Sequence, residues 1–300
     1  MKIIITGGSG HIGTNLSSLL KKYHEVTIFD YKKPRLSDVN FKQGDIKNHN
    51  DVINAVKDCD VVIHLAATLG VINTEENPIL TLDTNTEGTK NVLEACRINN
   101  VRKIIFSSSS EIYGEPLKIP IEESDAPMPI TTYGVSKLAA EAYIKAYAKT
   151  YGIRYTIFRL FNVYGDEQAE EWVVPEFVRK AIKNQDITIH GDGSQIRAFC
   201  YVSDVSDAFS YVLDGGDGEI FNIGNNSEPL SIKELAQKVI SIANSKSTLN
   251  FTPFEKSNRN RIEIIRRMPS IEKAKKLLGY QPKVSLTEGI IKTINKKSQL

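Results

Sequence analysis

The sequence predicts an α/β fold, a doubly wound parallel sheet joined to a smaller, mixed α/β C-terminal lobe. In the first half of the 300 residues, apolar runs alternate with amphipathic helical stretches. Strands that are apolar throughout and separated by helices are typical of a parallel sheet covered on both faces. After Asp166 shorter, mixed elements replace this alternation. We therefore assign a sheet domain to 1–165 and an interleaved second lobe to 166–300, with the chain returning to the sheet near 200–225.

The elements of the first half follow from these runs in chain order. Lys2–Thr6 is predicted to be a strand, and a helix is predicted from Gly13 to about Lys22. The later predicted strands lie in EVTIFD, DVVIHLAA, KIIFSSS and RYTIFRLFNVYG. The helices predicted between them lie in NDVINAVK, around NTEGTKNVLEACRINN and in YGVSKLAAEAYIKAYAKTYG. Each helix separates two strands, as the crossovers of a parallel sheet require.

The second half contains fewer and shorter predicted strands. WVVPEFVRKAIKNQ predicts a helix started by Pro175, and DITIHGDGSQIRAFCYV predicts two short strands around a Gly-Asp-Gly turn. SDVSDAFSYVLDGG and SIEKAKKLLGY predict helices. Ser231 and Glu234 have the spacing of a capping box at the start of a further helix.

Composition excludes several classes of protein. The 38 basic and 36 acidic residues leave a net charge of +2, too small to favour binding to nucleic acid or to an anionic membrane. No apolar run approaches the roughly 20 residues of a membrane span, and no signal-peptide pattern is present, so we expect a cytoplasmic protein. The three cysteines are expected to be reduced core residues. The five histidines show no ligand spacing, so we expect no metal site.

The glycines that follow the first strand predict a dinucleotide-binding turn. The pattern is Gly8-x-Gly10-x-x-Gly13, or Gly7-x-x-Gly10-x-x-Gly13 in an overlapping register. Such a turn lets the backbone approach a pyrophosphate, and the helix N-terminus stabilises its negative charge. A tight strand-to-helix turn without a ligand is the alternative. Asp30 ends the next predicted strand, where a carboxylate binds ribose hydroxyls and repels a 2′-phosphate, so NAD is favoured over NADP.

Two further patterns predict catalytic groups. Tyr133 and Lys137 are four residues apart on a predicted helix, so their side chains share one face and the ammonium can favour the ionised phenol. The serine run in FSSSSEIYG ends a predicted central strand, where a hydroxyl can bind a reacting alcohol or carbonyl. A surface tyrosine with a lysine one turn later, and a polar strand exit, are the structural alternatives.

Together these motifs resemble the extended short-chain dehydrogenase/reductase family, in the branch that acts on nucleotide sugars. The resemblance covers nearly the whole chain, from TGGSGHIG through GDI, HLAA, NTEGT, SSSSEIYG, YGVSK and RLFNVYG to GDGSQIRAFCYVSD and RRMPSIEKAKKLLGYQP. It implies a Rossmann fold, NAD as cofactor and a nucleoside diphosphate sugar as substrate. It also implies a homodimer formed through the helices that carry NTEGTKNVLEAC and KLAAEAYIKAYAKTYG.

The resemblance also implies roles for single residues. Tyr133 matches the catalytic base, Lys137 the residue that anchors the nicotinamide ribose and lowers the tyrosine pKa, and Ser109 the residue that orients the sugar hydroxyl. The candidate NAD-binding residues are Gly7, Gly10, His11, Ile12, Gly13, Asp30, Asp45, Ile46, Leu65, Ala66, Ala67, Asn85, Tyr133 and Lys137. The candidate substrate-binding residues are Ser109, Ser110, Glu111, Asn162, Arg197 and Arg267.

The residues after Ser109 bear on the reaction. Dehydratases of the family have Asp where this chain has Ser110, which disfavours 4,6-dehydration. Glu111 and Arg267 resemble a pair found in nucleotide-sugar decarboxylases, whereas YGVSKLAAE is closer to the epimerases. A 4-epimerase needs the fewest special residues, so we favour it, with decarboxylation or 4,6-dehydration as the alternatives. A non-catalytic NAD-binding sensor is a third possibility, disfavoured by the intact Tyr133, Lys137 and Ser109. The stretch AATLGVINTEENP is predicted to form a loop over the sugar.

Overall fold

The computed structural model describes residues 1–254 and 264–298. Within them, seven strands form one parallel sheet in the order β11-β6-β5-β4-β1-β2-β3. Their bounds are Lys2–Thr6 (β1), Glu25–Asp30 (β2), Asn40–Gln43 (β3), Val61–His64 (β4), Lys103–Ser109 (β5), Arg154–Leu160 (β6) and Glu219–Ile223 (β11). Every pairing of neighbouring strands in this sheet is parallel, which confirms the predicted fold class.

Helices cover both faces of the sheet. The helices are α1 (His11–Leu20), α2 (His49–Val56), α3 (Val71–Glu76), α4 (Pro78–Ile98), α5 (Thr132–Tyr151), α6 (Val173–Ile182), α7 (Val202–Tyr211), α8 (Ile232–Ile242), α9 (Glu272–Leu278) and α10 (Leu286–Lys297). Ile3 and Ile5 of β1 pack in a core cluster with residues of α1, α7 and α9, whereas Ile4 packs with residues of α2, α4 and α5. Because successive side chains of a strand point to opposite faces of the sheet, β1 contributes to the core on each face.

The C-terminal lobe is built on short strands. They are β7 (Val163–Tyr164), β8 (Ile187–His190), β9 (Ile196–Arg197), β10 (Cys200–Tyr201), β12 (Leu230–Ser231), β13 (Leu249–Thr252) and β14 (Arg266–Arg267). Residues of α6, α8 and α10 pack together in a third core cluster. The predicted capping box is present, since Ser231 accepts from the Glu234 N–H and the Glu234 carboxylate accepts from the Ser231 N–H. Between β10 and β12 the chain returns to the seven-stranded sheet, because α7 packs on α1 and β11 pairs with β6.

Several predicted bounds need correction. The first helix begins at His11 rather than Gly13, because Gly10 is the extended N-cap residue. The long helix α4 begins at Pro78 rather than near Asn85, since proline suits the first turn of a helix. Pro175 lies inside the first turn of α6, which begins at Val173.

Three other stretches differ from prediction. The predicted strand 154–165 is divided into β6 and β7 at Asn162, whose φ is +37°. β8 and β9 are strands as predicted but do not pair with each other, because Gly191 and Gly193, both at positive φ, turn the chain into a separate sheet. The stretch predicted as a loop over the sugar contains the short helix α3.

The glycine turn after β1 is packed too closely for side chains. Gly7 has a φ of +71°, and a Cβ there would lie 2.6 Å from the backbone nitrogen of Ala66. A Cβ on Gly13 would lie 2.5 Å from the carbonyl oxygen of Gly7. The turn, the start of α1 and the segment after β4 are therefore in direct backbone contact.

Two expectations concern the chain as a whole. Among residues 1–254 and 264–298, no helix is both long and apolar enough to cross a bilayer. Cys96 and Cys200 are buried free thiols, as predicted, whereas Cys59 is only half-buried. Burial nevertheless raises the pKa of the Cys59 thiol to about 11.

The contact at Gly13 generates a stability prediction. Gly13→Ala should lower the free energy of unfolding by about 1–3 kcal/mol, because the backbone at Gly7 and Gly8 must move to admit the methyl group. Gly215→Ala is the control, since a Cβ there would lie 3.9 Å from its nearest neighbour, the Tyr211 oxygen. Urea denaturation of both variants measures the difference. Equal stability of the two variants would show that the turn tolerates a side chain.

Candidate active site

The candidate site lies along the carboxyl edge of the sheet. Parallel strands end at the same edge, where ligands bind in open α/β folds. The glycine turn follows β1, Asp30 ends β2, and Leu65 follows β4. Ser109 ends β5, and Asn162 follows β6. The fold therefore places five separate predicted segments along one edge.

Asp30 and the glycine turn support each other. The two carboxylate oxygens of Asp30 accept hydrogen bonds from the backbone N–H groups of Ser9 (3.1 Å) and Lys32 (3.0 Å). The Gly7 N–H donates to the carbonyl of Phe29, 2.9 Å away. The turn is thus fixed to the end of β2, with the carboxylate beside it.

The start of α1 fits the pyrophosphate of a dinucleotide. Gly10 is the N-cap residue of α1, and it has no side chain that could accept hydrogen bonds from the N–H groups of the first turn. The imidazole of His11 donates from Nδ1 to the carbonyl of Asp166 at 2.7 Å. Burial lowers the pKa of His11 to about 4, so the ring is neutral at neutral pH. Close backbone packing and uncapped N–H groups are the features that pyrophosphate binding requires.

Ile46, one of two adjacent candidate NAD-binding residues, packs against α4. Ile46 is buried, and a Cβ on Gly88 of α4 would lie 2.4 Å from its Cδ1 atom. Asp45 is exposed, and its carboxylate accepts from the Lys47 N–H at 2.9 Å. The side chain of Ile46 is thus part of the core beneath α4, while that of Asp45 lies at the surface. Their roles in NAD binding stay predictions.

Asn85 fixes the segment that follows β4. Its side-chain oxygen accepts from the Thr68 N–H at 2.7 Å, and its amide nitrogen donates to the Thr68 carbonyl and to the Ser136 hydroxyl. Leu65, Ala66 and Ala67, which precede this clamp, are half-buried. The buried amide of Asn85 therefore connects α4, this segment and α5.

His64 was not among the predicted site residues. It is wholly buried at the end of β4, with Nδ1 2.7 Å from the Thr6 hydroxyl and Nε2 3.1 Å from the Thr89 hydroxyl. The Thr89 hydroxyl donates to the carbonyl of Asn85 at 2.6 Å, so it accepts from the protonated Nε2. His64 is therefore a neutral ring that links β1 to α4. The only sequence signal was a polar residue inside an apolar run.

The three predicted catalytic residues come together. The Lys137 ammonium donates to the carbonyl of Ser107 at 2.8 Å and lies 5.7 Å from the centre of the Tyr133 ring. The Ser109 side chain interacts with that of Tyr133. Tyr133 and Lys137 lie on α5 and Ser109 lies on β5, so the packing of α5 on β5 sets the distances between these side chains.

Burial dominates the titration of these groups. It lowers the pKa of Lys137 to about 7, against the opposing charge of Glu141. It also raises the pKa of Tyr133 well above the usual value, and the charge of Glu111 adds to this effect. The Ser109 side chain opposes it. Burial therefore dominates the pKa of Tyr133 in the protein alone, and the lowering expected from Lys137 stays a prediction.

Glu111 and Arg267 are in contact beside this cluster. The Glu111 carboxylate accepts from the Thr131 hydroxyl at 2.8 Å and lies 3.4 Å from an Arg267 Nη1 atom. The Nε–H of Arg267 is buried and has no hydrogen-bond partner among residues 1–254 and 264–298. Ser110 is buried directly before Glu111. The Nε–H of Arg267 is therefore a donor in the site, and a bound anionic group can accept a hydrogen bond from it.

The remaining predicted substrate residues are connected through β9. Arg267 of β14 and Arg197 of β9 are register partners on parallel strands. The Asn162 amide donates to the carbonyl of Ala198 at 3.0 Å, directly after Arg197. The structure thus brings the three together where the two lobes meet. Within the described part of the chain, no three His, Cys, Asp or Glu side chains are grouped as metal ligands.

The chain is similar to known proteins over most or nearly all of its length. The model of the NAD dependent epimerase/dehydratase family matches residues 3–224. A Methanocaldococcus jannaschii protein provisionally named UDP-glucose 4-epimerase is 38% identical, over 98% of this chain and 97% of the relative. A UDP-N-acetyl-alpha-D-glucosaminuronate decarboxylase of Bacillus cytotoxicus is 36% identical, over 98% of this chain and 96% of the relative.

Solved structures agree with these relatives. The crystal structure of UDP-glucose 4-epimerase from Thermotoga maritima with UDP-glucose superimposes with a TM-score of 0.94. The two chains are 29% identical, and the match covers 100% of this chain and 99% of that one. The likeness therefore extends over both lobes.

The buried histidine generates a prediction on pH. Burial lowers the pKa of folded His64 to about 3, whereas an unfolded histidine has a pKa of about 6.5. The unfolded chain therefore binds the proton more tightly, and stability present above about pH 6.5 is lost as the pH falls. Between about pH 6 and pH 5, His64→Gln should reduce the pH slope of the unfolding free energy by about 1.4 kcal/mol per pH unit.

Urea denaturation at several pH values gives this slope. His49→Gln, at an exposed histidine, is the matched control and should keep the wild-type slope. His11, whose pKa is lowered to about 4, contributes in the same direction in all three proteins. An unchanged slope in His64→Gln would mean that His64 is not neutral in the folded protein.

Proposed function

Because the chain belongs to the NAD dependent epimerase/dehydratase family, we propose that it is a nucleotide-sugar 4-epimerase. The family is NAD-dependent and enzymatic, and this chain retains the groups for oxidation of a sugar hydroxyl. The observation that carries the proposal is the cluster of Tyr133, Ser109 and Lys137 at the edge of the sheet. The relatives named 4-epimerases support the choice of reaction.

Each catalytic side chain has a defined task in this proposal. NAD, when bound, supplies an acceptor for the hydride that leaves C4 of the sugar and a donor for its return. The Tyr133 oxygen takes the proton of the C4 hydroxyl and later gives it back to the ketone oxygen. The Ser109 hydroxyl holds the same oxygen in line with Tyr133. The Lys137 cation, fixed on the Ser107 carbonyl, favours the phenolate.

Inversion at C4 needs no further acid or base. The keto sugar has only to turn so that the hydride returns to its other face. A dehydratase would also need an acid that protonates the leaving hydroxyl, and this chain has the buried Ser110 in that place. Asn162, Arg197 and Arg267 are proposed to hold the diphosphate of the substrate, a task that suits the planar and permanently charged guanidinium.

The contact of Glu111 with Arg267 favours decarboxylation as a second candidate. Oxidation of a uronic acid at C4 places a ketone β to the carboxylate, so carbon dioxide can leave. The unpartnered Nε–H of Arg267 is a donor that the uronic carboxylate can use. One relative is named a decarboxylase that acts on a sugar of this kind.

Product analysis distinguishes the two reactions. A panel of UDP-, GDP- and dTDP-sugars is incubated with the protein and catalytic amounts of NAD. We expect one of these sugars to be converted to its C4 epimer, with unchanged mass and no accumulation of free NADH. Tyr133→Phe should slow this conversion by about 10² to 10⁴. Mass spectrometry and NMR identify the product. Loss of carbon dioxide from a uronic acid establishes the second candidate, and loss of water or full activity of Tyr133→Phe contradicts the proposal.

We also propose a homodimer formed through α4 and α5, which pack against each other. Several large apolar side chains on these helices are exposed, namely Ile79, Leu80, Ile98, Val135, Tyr143 and Tyr151. A second copy of the chain would cover such a face by twofold symmetry.

Light scattering at micromolar concentration should therefore give about twice the chain mass of 33.5 kDa. Tyr143→Glu should shift the mass toward the monomer, because it places a charge on the proposed interface. Tyr23→Glu, at an exposed tyrosine that follows α1, should leave the dimer intact. A monomeric wild-type protein would contradict the proposed assembly.

A further inference from the structure

Helix α5 carries a buried carboxylate that the proposed chemistry does not use. Glu141 lies one turn after Lys137 and has no exposed surface. Its carboxylate accepts from the Ser108 hydroxyl at 2.6 Å and from Arg159 Nε and Nη2 at 3.0 and 2.9 Å. A buried charge is costly unless it is paired and hydrogen-bonded, and this carboxylate meets both conditions.

The hydrogen bond to Ser108 connects Glu141 to the same part of β5 as the catalytic residues. Lys137 and Glu141 lie at i and i+4 on one face of α5. They bond to successive residues of β5, Lys137 to the Ser107 carbonyl and Glu141 to the Ser108 hydroxyl. Ser109 is the next residue of β5. Two contacts one turn apart restrict both the rotation and the sliding of α5 on β5.

Arg159 extends the network away from α5. Its Nη1 atom donates to the Tyr113 hydroxyl at 2.8 Å, and that hydroxyl donates to the Asn222 side-chain oxygen at 2.8 Å. The Asn222 amide donates to the carbonyl of Ile121 at 3.0 Å. The Ile121 N–H donates to the carbonyl of Met268 at 2.8 Å, directly after the proposed substrate residue Arg267.

We infer that Glu141 is a positioning residue for the oxidation step, fixing α5 against β5 so that Tyr133 meets Ser109. This inference rests on the proposed function, in which those two residues hold the reacting oxygen. Glu141 itself does not touch Tyr133 or Ser109 in the structure, and it acts through Ser108 and Arg159.

The charge of Glu141 has a second effect on the site. Lys137 is faced by Tyr133 and Glu141 from α5 and by the neutral His64 from β4. Glu141 opposes the lowering of the Lys137 pKa by burial. Without the carboxylate, Lys137 loses its proton at lower pH, so the activity lost should be greater above pH 7 than below it.

Three variants test the inference. Ser108→Ala removes only the bond to β5 and leaves the ion pair of Glu141 with Arg159 intact. Glu141→Gln keeps the shape and removes the charge. Thr156→Val is the matched control, since Thr156 is a buried β6 residue whose hydroxyl bonds to the Gly216 carbonyl at 2.7 Å, outside the network. All three should lower the melting temperature.

We expect Ser108→Ala and Glu141→Gln to lower kcat by roughly tenfold, with the dissociation constant of NAD within twofold of the wild type. The loss in Glu141→Gln should grow as the pH rises, and Thr156→Val should keep the wild-type kcat. Wild-type kcat in Ser108→Ala would overturn the inference, even if Glu141→Gln fails to fold.

A second readout needs no substrate. NMR of protein with ¹³C-labelled tyrosine ζ-carbons reports on the Tyr133 hydroxyl, and its resonance is assigned by its absence in Tyr133→Phe. It should move in Ser108→Ala and stay in place in Thr156→Val. If wild-type protein converts no nucleotide sugar but this resonance moves, the proposed function fails while the positioning role of Glu141 stands. An unmoved resonance contradicts the positioning role.

Discussion

The burial of the Lys137 ammonium is the constraint on which the rest of the site depends. A cation without water needs both a hydrogen-bond acceptor and an opposing charge. The Ser107 carbonyl supplies the first at 2.8 Å, and Glu141 supplies the second. Glu141 in turn pairs with Arg159, and Arg159 donates to the Tyr113 hydroxyl. The polar groups beneath the sheet edge therefore form one connected set rather than separate contacts.

His64 is neutral chiefly because its own ring is buried, and the charge of Lys137 adds to that effect. A second charge beside Lys137 would be unfavourable, and the Lys137 charge contributes to the lowered pKa of the imidazole. The ring can still link β1 to α4, because a neutral imidazole has one donor and one acceptor. Thr6 and Thr89 match that pair. The link between β1 and α4 is thus made by neutral hydrogen bonds, whereas α5 is held to β5 and β6 by charged ones.

Local patterns accounted for most of what the sequence predicted correctly. The alternation of apolar runs gave the sheet, and the four-residue spacing of Tyr133 and Lys137 gave their shared helix face. The bonds from Glu141 to Arg159 and from His64 to Thr89 join distant residues of different elements. No short motif specifies such pairs, because each depends on how strands and helices pack. In the C-terminal lobe, strands of two to four residues carry too little periodicity to reveal their partners, as β8 and β9 show.

The double use of Asp30 limits how the cofactor preference of this chain could evolve. Its carboxylate holds the backbone of the glycine turn at Ser9 and of the segment at Lys32, and the same charge repels a 2′-phosphate. A mutation at Asp30 that removes both the charge and the acceptor oxygens, to admit NADP, also releases the backbone N–H groups of Ser9 and Lys32. A lineage moving toward NADP would therefore need either a residue that keeps these acceptors or a compensating change nearby.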